Sequence, residues 1–372
     1  MKPLAVYIHV PFCVRKCAYC DFASFSGCES QFDAYFGELN DEIESWRETL
    51  SAREITSIFF GGGTPSLPPA EHICRILEHV RNIAHFADDI EITIEANPGT
   101  LTPEKLRAYR ASGVNRISIG VQSFDAELLK NLGRIHTPQQ AADAVHMARE
   151  AGFENISIDL MYALPGQSLK QWKDTLEAAL ALPIRHISAY SLIVEEGTPM
   201  FARVERGEAV IPDDEVVNEM QRYAIERFAQ AGMLRYEISN FAQPGRESRH
   251  NITYWLGGDY LGLGSAAHSL VNGARFCNPP ALEDYLAGQR MLDKTPCTRE
   301  DCMEETLMLA TRMVRGLDLE KWARDFGQRL EEVRAKEIQK LTGHGLVEIE
   351  GGFLRLTTKG LELQDAVVLE LM

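Results

Sequence analysis

Apolar and polar positions in this chain repeat with two periods. Leu4 to Phe12 is an apolar, alternating run and predicts a strand. Gln31 to Leu50 then places Phe32, Tyr35, Phe36, Leu39, Ile43, Trp46 and Leu50 at helical spacing, which predicts an amphipathic helix. Ile55 to Phe60 reads as a strand that ends in Gly61-Gly62-Gly63-Thr64-Pro65, and Ala70 to His85 as a helix. Asp89 to Asn97 sets Ile90, Ile92 and Ile94 against Glu91, Thr93 and Glu95, a strand pattern. Pro103 to Ser112 is a helix with Thr102 at its N-cap. The series continues as strand Arg116 to Gln122, helix Pro138 to Ala151, strand Asn155 to Leu164, helix Leu169 to Leu180 and strand His186 to Ile193. Strands alternate with helices six times, which predicts parallel βαβ units. An open doubly wound sheet and an incomplete TIM-like barrel both accommodate six such units, and the pattern alone does not decide between them. Either way, functional residues belong at the carboxyl ends of the strands.

After the last of these strands the pattern changes twice. Pro212 to Ala231 predicts a long helix, and Gly232 to Leu270 is rich in Gly, Asn, His and aromatics with little periodicity. It reads as an irregular extension over one side or mouth of the α/β unit. From Thr298 onward come helical segments Glu300–Met313, Leu319–Phe326 and Leu330–Thr342, then short strands Leu346–Ile349 and Phe353–Leu356 joined by Glu350-Gly351-Gly352. That order resembles a winged-helix-type module. The expected division is residues 1–235, 236–297 and 298–372. The segment Leu330–Thr342 mixes Arg334, Lys336 and Lys340 with Glu331, Glu332 and Glu337, so a lid or docking surface is expected of it rather than a nucleic-acid contact.

Composition adds exclusions. A formal net charge of −16 over 372 residues does not suit a general nucleic-acid footprint. No apolar run approaches the roughly 18 residues a membrane span needs, and no secretory pattern opens the chain. Any membrane association would come through a partner. Eight cysteines without a pairing pattern suit a reducing compartment, so a cytoplasmic location is expected.

Three of those cysteines carry the chemistry. Cys13, Cys17 and Cys20 are spaced C-x3-C-x2-C directly after the first strand. Thiolates select zinc, copper(I) or iron–sulfur clusters. A structural zinc site wants four ligands, and no fourth cysteine is local. A [4Fe–4S] cluster takes one cysteine per iron, so three leave one iron open to a non-protein ligand. Cys28, Cys74, Cys277, Cys297 and Cys302 are scattered and read as ordinary core or surface residues.

The C-x3-C-x2-C motif, with an aromatic residue just before its third cysteine, resembles the signature of radical S-adenosylmethionine (SAM) proteins. Tyr7-Ile8-His9-Val10-Pro11-Phe12-Cys13 followed by Tyr19-Cys20-Asp21-Phe22 resembles the branch that holds oxygen-independent coproporphyrinogen III oxidase and the HemW-type haem chaperones. The resemblance covers most of the chain. It implies an α/β fold with a partial (β/α)6 TIM-like radical SAM barrel, a [4Fe–4S] cluster on the three cysteines, and SAM on its open iron. The SAM site it implies comprises Tyr7, Tyr19, Gly62, Gly63, Thr64, Glu95, Gln122, Arg134 and Asp159. Glycines admit close backbone approach, a carboxylate pairs with ribose hydroxyls, and an arginine grips a carboxylate.

Two classes of function follow from the resemblance. The oxidase pattern has a further cysteine two places after the third, where this chain has Phe22, and a longer segment before the cluster than the twelve residues found here. The string His250-Asn251-Ile252-Thr253-Tyr254-Trp255 matches the H-N-x-x-Y-W of HemW-type proteins. The resemblance therefore favours a haem chaperone that passes haem to recipient haem proteins such as respiratory cytochromes, with the decarboxylating oxidase as the alternative. His250 is the expected haem ligand, with His9, His136 and His268 behind it, since imidazole commonly ligates haem iron.

Overall fold

The computed structural model describes all 372 residues. Six parallel strands dominate it: β1 (Lys2–Val10), β2 (Arg53–Gly62), β3 (His85–Ala96), β4 (Arg116–Gln122), β5 (Asn155–Tyr162) and β6 (His186–Ser191). They lie side by side in chain order. A doubly wound sheet reverses its strand order at a switch point, and here there is no reversal. The six units therefore form the partial (β/α)6 barrel.

The two faces of the strands differ in chemistry. Ile92 and Ile94, Ile117 and Ile119, and Ile156 and Ile158 point one way and pack in the main core with the flanking helices. Those helices are α1 (Phe32–Ser45), α2 (Ala70–Ile83), α3 (Pro103–Ala111), α4 (Pro138–Glu150), α5 (Leu169–Leu180) and α6 (Asp214–Gln230). Thr102 caps α3 as expected, and Thr137 and Ser168 build capping boxes on α4 and α5. The opposite face is polar yet buried. It carries Glu91, Thr93, Arg116, Ser118, Ser157 and His186, none more than 6 % exposed. Buried polar groups need partners. Several find them across the strands: Ser118 donates to Asp159 at 3.1 Å, and Ser157 meets His186 at 2.8 Å.

The stretch Gly232–Leu270, expected to be irregular, is built of short regular elements. β7 (Leu234–Arg235) and β8 (Asn240–Ala242) extend the sheet beyond β6, and β9 (Tyr260–Leu263) joins the other edge parallel to β1. β10 (His268–Val271), β11 (Ala274–Cys277) and β12 (Leu292–Pro296) continue outward antiparallel. Between the two edges the chain crosses the polar interior as α7 (Arg249–Trp255). Glu91 on β3 receives the N–H groups of Arg249 and His250, so a barrel carboxylate caps this helix at its positive end.

The last part has its own core, built on Leu307, Trp322, Leu330, Leu341, Leu354 and Leu371. It holds α8 (Arg299–Ala310), shorter helices and a small sheet of Leu317–Asp318, Phe353–Leu356 and Val347–Glu350. The expected helix Leu330–Thr342 is broken into Leu330–Val333 and Ala335–Gly343. At the break, Arg334 turns aside to donate to the Leu371 carbonyl at 2.8 Å. The helix expected over Gln31–Leu50 likewise breaks at Trp46, whose ring stacks on Phe276 at 5.5 Å.

Candidate functional site

The cysteine loop leaves the carboxyl end of β1 and is tied on three sides. Ala18 N–H donates to Leu132 O at 3.0 Å, Met200 N–H to Ala18 O at 2.8 Å, and Lys16 Nζ to Phe22 O at 2.9 Å. The glycine turn after β2 supplies the fourth hold. Gly63 N–H donates to Val10 O and Thr64 N–H to Phe12 O, at 2.9 and 2.8 Å. A Cβ at Gly63 would stand 2.8 Å from the Phe12 backbone, and one at Gly62 (φ +108°) would enter the His9 ring. The turn was expected to let a ligand approach its backbone. Its glycines instead let the turn pack on the chain leading into Cys13, and two of its N–H groups are already used there.

Cys13, Cys17 and Cys20 are partly exposed free thiols. Cys13 Sγ lies 3.5 Å from Thr64 Oγ1, and Arg134 Nη1 donates to Cys17 Sγ at 3.5 Å. No three metal-binding side chains converge on the position of a single ion. A structural zinc site requires such convergence. A cluster does not, because each thiolate holds a different iron. Three thiols on one loop, half open, with a cation beside one of them, fit the cluster better than zinc.

Around this loop the strand ends bring the other expected residues together. Gly133, in the left-handed conformation, ends the helix Ala126–Leu132 and turns Arg134 back toward the sheet. Its guanidinium reaches Gly120 O and Asn97 Oδ1. Gly120 makes this approach possible, since a Cβ there would lie 3.1 Å from the guanidinium. Asn97 also donates to Thr64 at 2.9 Å. Gln122 ends β4 with φ +67°, a strained value for a side-chain-bearing residue, and accepts from Tyr190 at 3.1 Å. Tyr19 packs with the small apolar cluster around Leu128, Leu132 and Met161. Deeper in, Glu95 and Asp159 lie near enough for the charge of Asp159 to act on Glu95. Burial raises both, and the Asp159 charge adds to the rise at Glu95, which reaches about 8. Arg116 opposes the shift at both.

Beside this polar group opens a cavity of about 910 Å³. Tyr7, Gly62 and Glu95 line it from the barrel, and Asp21, Phe22 and Ala23 line it from the segment after Cys20. One wall is the outer sheet, with Tyr260, His268, Leu270 and Arg275. The facing wall is α8, with Cys302, Glu305, Thr306 and Leu309 along one helical face. Arg275 and Glu305 pair across the gap at one margin. Tyr254 and Trp255 close the end toward α7.

The expected haem ligand does not face this cavity. His250 is 1 % exposed, with Nδ1 on Ser57 at 2.8 Å and Nε2 on Tyr254 at 2.7 Å. Burial, and then the Arg116 charge, pull its pKa down to about 3. Both nitrogens are engaged, so His250 as it stands offers none to an iron. The bond to Ser57 ties α7 to β2, and the bond to Tyr254 lies within α7. His9 is spent in the same way, between Tyr7 OH at 3.0 Å and Ala23 O at 2.9 Å. His136 is buried against Val121 O at 3.1 Å and is pushed down to about 4 by burial and Arg134. Of the four expected histidines, only His268 is both exposed and in the cavity wall.

Asn97, Arg116, Ser118 and Tyr190 belong to this polar group and were not singled out from the sequence. A signal for Arg116 and Ser118 exists. Arg116, Ser118, Gly120 and Gln122 alternate with Ile117, Ile119 and Val121 along β4. Parallel strands covered on both faces ordinarily read as continuous apolar runs. Polar alternation in one of them marks an internal site.

Two stretches of the chain match family models. Residues 7–179 match the Radical SAM superfamily model, and residues 297–363 match the HemN C-terminal domain. The chain is 36 % identical to the heme chaperone HemW of Lactococcus lactis subsp. lactis (strain IL1403), over 98 % of this chain and 96 % of that one. It is 34 % identical to the HemW of Bacillus subtilis (strain 168), over 98 % and 97 %. It is 42 % identical to the HemW of Escherichia coli (strain K12), over 73 % and 71 %. Among solved structures, coproporphyrinogen III oxidase (HemN) from Escherichia coli superposes with a TM-score of 0.86 over 100 % of this chain and 90 % of that one. At 23 % identity that likeness bears on the fold alone.

Proposed function

The chain belongs to the HemW family within the radical SAM superfamily, and from that premise we propose that it is a haem chaperone. In this reading it carries haem in the cavity beside the cysteine loop and delivers it to other haem proteins. Cys13, Cys17 and Cys20 hold a [4Fe–4S] cluster through their thiolates, and SAM occupies the polar group at the strand ends. When bound, the cluster supplies an open iron for the amine and carboxylate of SAM. Arg134 orients that carboxylate, exchanging its present acceptors for it. Glu95 and Asp159 take the ribose hydroxyls, which adds donors to two carboxyl groups whose charge burial disfavours. Tyr7 and Tyr19 flank the site, and Gln122, braced by Tyr190, lines it. Gly62 stands at the cavity end, while Gly63 and Thr64 brace the cysteine loop.

One observation carries the choice of chaperone over oxidase. Phe22 is 64 % exposed and lines the wide cavity at the place where the oxidase pattern has a cysteine. A large, exposed aromatic ring there provides apolar surface for a flat macrocycle rather than a fourth thiol. The cavity volume lies in the range of small-molecule and cofactor sites. No helix is long and apolar enough to cross a membrane, and all eight cysteines are free thiols. Both are compatible with work in a reducing cytoplasm on recipients such as respiratory cytochromes.

The test is anaerobic reconstitution with iron and sulfide, followed by two separate assays. Haem titration followed by gel filtration is expected to leave haem on the protein. Incubation with coproporphyrinogen III, SAM and a reductant is expected to leave the coproporphyrinogen intact. Conversion to protoporphyrinogen IX with SAM consumed would replace this reading with the oxidase.

A further inference from the structure

We propose that Arg275 on β11 is the subsite for a carboxylate of the cavity's ligand, and that Glu305 on α8 occupies it until that carboxylate arrives. This rests on the haem-carrier reading above and names the group that recognises the propionate carboxylates of haem. Arg275 is the one lysine or arginine in the wall of the cavity. Asp21, Glu95 and Glu305 line the same space. An anionic ligand therefore meets three carboxyl groups and a single fixed cation, and Arg275 alone offers it an attractive charge.

The sheet aims Arg275 at this space. Cross-strand pairing sets Tyr260 beside Leu270 and Leu270 beside Arg275, so the three stand on one rung of β9, β10 and β11, and all three line the cavity. Arg275 Nη1 donates to the Tyr260 hydroxyl at 3.1 Å. The Tyr260 ring meets Tyr254 edge-on at 4.6 Å, and Tyr254 is hydrogen-bonded to His250 at 2.7 Å. One nitrogen of the guanidinium is thus held from the barrel side. Its other edge donates to both oxygens of Glu305, through Nε at 2.8 Å and through Nη2. That edge is the fork that matches a carboxylate in bidentate fashion. Glu305 fills it as a carboxylate, so a ligand carboxylate replaces it like for like.

The surroundings make the exchange easy. The Arg275 and Glu305 side chains are 36 % and 28 % exposed. An ion pair this wet stabilises the fold only weakly, and a released Glu305 carboxylate regains water. Arg275 keeps its bond to Tyr260 throughout. Glu305 stands on the helix whose Leu307 packs in the separate C-terminal core, so its release also frees that wall from the outer sheet at this margin. Competition from Glu305 limits how tightly the cavity holds an anion, which suits a carrier that must give up its cargo.

The test titrates the full-length, cluster-reconstituted protein with ferric haem and, in parallel, with haem dimethyl ester, whose propionates carry no charge. Binding is read from the Soret band and from what the protein retains on gel filtration. The wild type is expected to hold haem about tenfold more tightly than the ester, as a charge-assisted bond implies. Arg275→Gln is expected to bring haem down to the level of the ester and to leave the ester unchanged. Glu305→Gln removes the competitor and keeps the cation, so it is expected to tighten haem by about threefold and again leave the ester unchanged. The opposite signs separate a carboxylate anchor from a purely structural bridge, whose loss would act alike in both variants. Far-UV circular dichroism and the visible absorbance of the cluster check that each variant is folded. If both variants weaken haem alike, if neither changes it, or if the wild type holds the ester as tightly as haem, the assignment is overturned while the carrier reading stands. If the wild type retains neither compound, the carrier reading itself fails and the assignment with it.

Discussion

Replacing Glu95 by Gln should strengthen the empty fold and weaken the site. The Glu95 carboxyl rises from the ordinary 4.5 to about 8, first because burial penalises its charge and next because Asp159 is near. A folded-state pKa above the unfolded value means that the folded protein favours the protonated form. The associated stability is fully present below about pH 4.5 and is lost as pH climbs through about 8. At roughly 1.4 kcal/mol for each pKa unit, the whole displacement has a ceiling of about 5 kcal/mol. Glu95 also lines a cavity that water can enter, so about 2–3 kcal/mol is the expected loss. Glu95→Gln removes the charge and keeps the shape. Its melting temperature should match wild type at pH 5 and exceed it by roughly 2.5–4 °C at pH 9. The same variant should bind SAM about tenfold more weakly above pH 8, where the carboxylate it replaces is charged and accepts from the ribose hydroxyls. The assay is differential scanning calorimetry of SAM-free protein at pH 5, 7 and 9, with SAM titration beside it. A Gln variant that is less stable than wild type at pH 9, or equally displaced at all three pH values, would refute the reasoning.

Other perturbations probe different parts of the account. Arg134→Ala should weaken SAM binding by about 1.5–3 kcal/mol, as expected for a lost charge-assisted bond; unchanged affinity by calorimetric titration would remove Arg134 from the site. His250→Ala should cost about 2–4 kcal/mol of stability, because it leaves Ser57 and Tyr254 unpartnered and opens space beside Phe59; denaturant unfolding checks this, and an unaffected midpoint would contradict the structural role. Arg312→Ala should cost about 1–3 kcal/mol, because Glu237 is fully buried and Arg312 both pairs with it and covers Trp255. A thermal melt that does not move would show that this junction contributes nothing. Replacing Cys13, Cys17 and Cys20 together by Ala should abolish bound iron and the ~400 nm absorbance, and a full complement of iron and sulfide on that variant would defeat the cluster assignment.

The barrel was legible because its strands are short apolar runs closed by glycine or polar turns, and because helices of ordinary length separate them. Sequential winding was not legible, since strand order is a property of the sheet and not of any one unit. The outer strands were hidden for local reasons. Tyr260-Leu261-Gly262-Leu263 is four residues with a glycine, and Leu292-Asp293-Lys294-Thr295-Pro296 is a polar edge with a proline. Motif reading brought Cys13, Arg134, Glu95 and Asp159 to one end of the barrel, and the fold gathers them there. It named His250 as the haem ligand, and what no string could show is that this histidine is buried with both ring nitrogens hydrogen-bonded, to Ser57 and to Tyr254. Phe22 carried information as a departure from a pattern, and its meaning came from its exposure in the cavity.

The most direct measurement of the central claim is haem transfer. The reconstituted protein, loaded with one equivalent of haem and freed of excess by gel filtration, would be mixed anaerobically with an apo-cytochrome. The acceptor's own Soret and α bands would then be followed after the two proteins are separated. A haem chaperone predicts that the acceptor gains haem as the donor loses it, faster than from an equal amount of haem in buffer. Haem that stays on the donor, or that reaches the acceptor only at the rate of free haem, would contradict it.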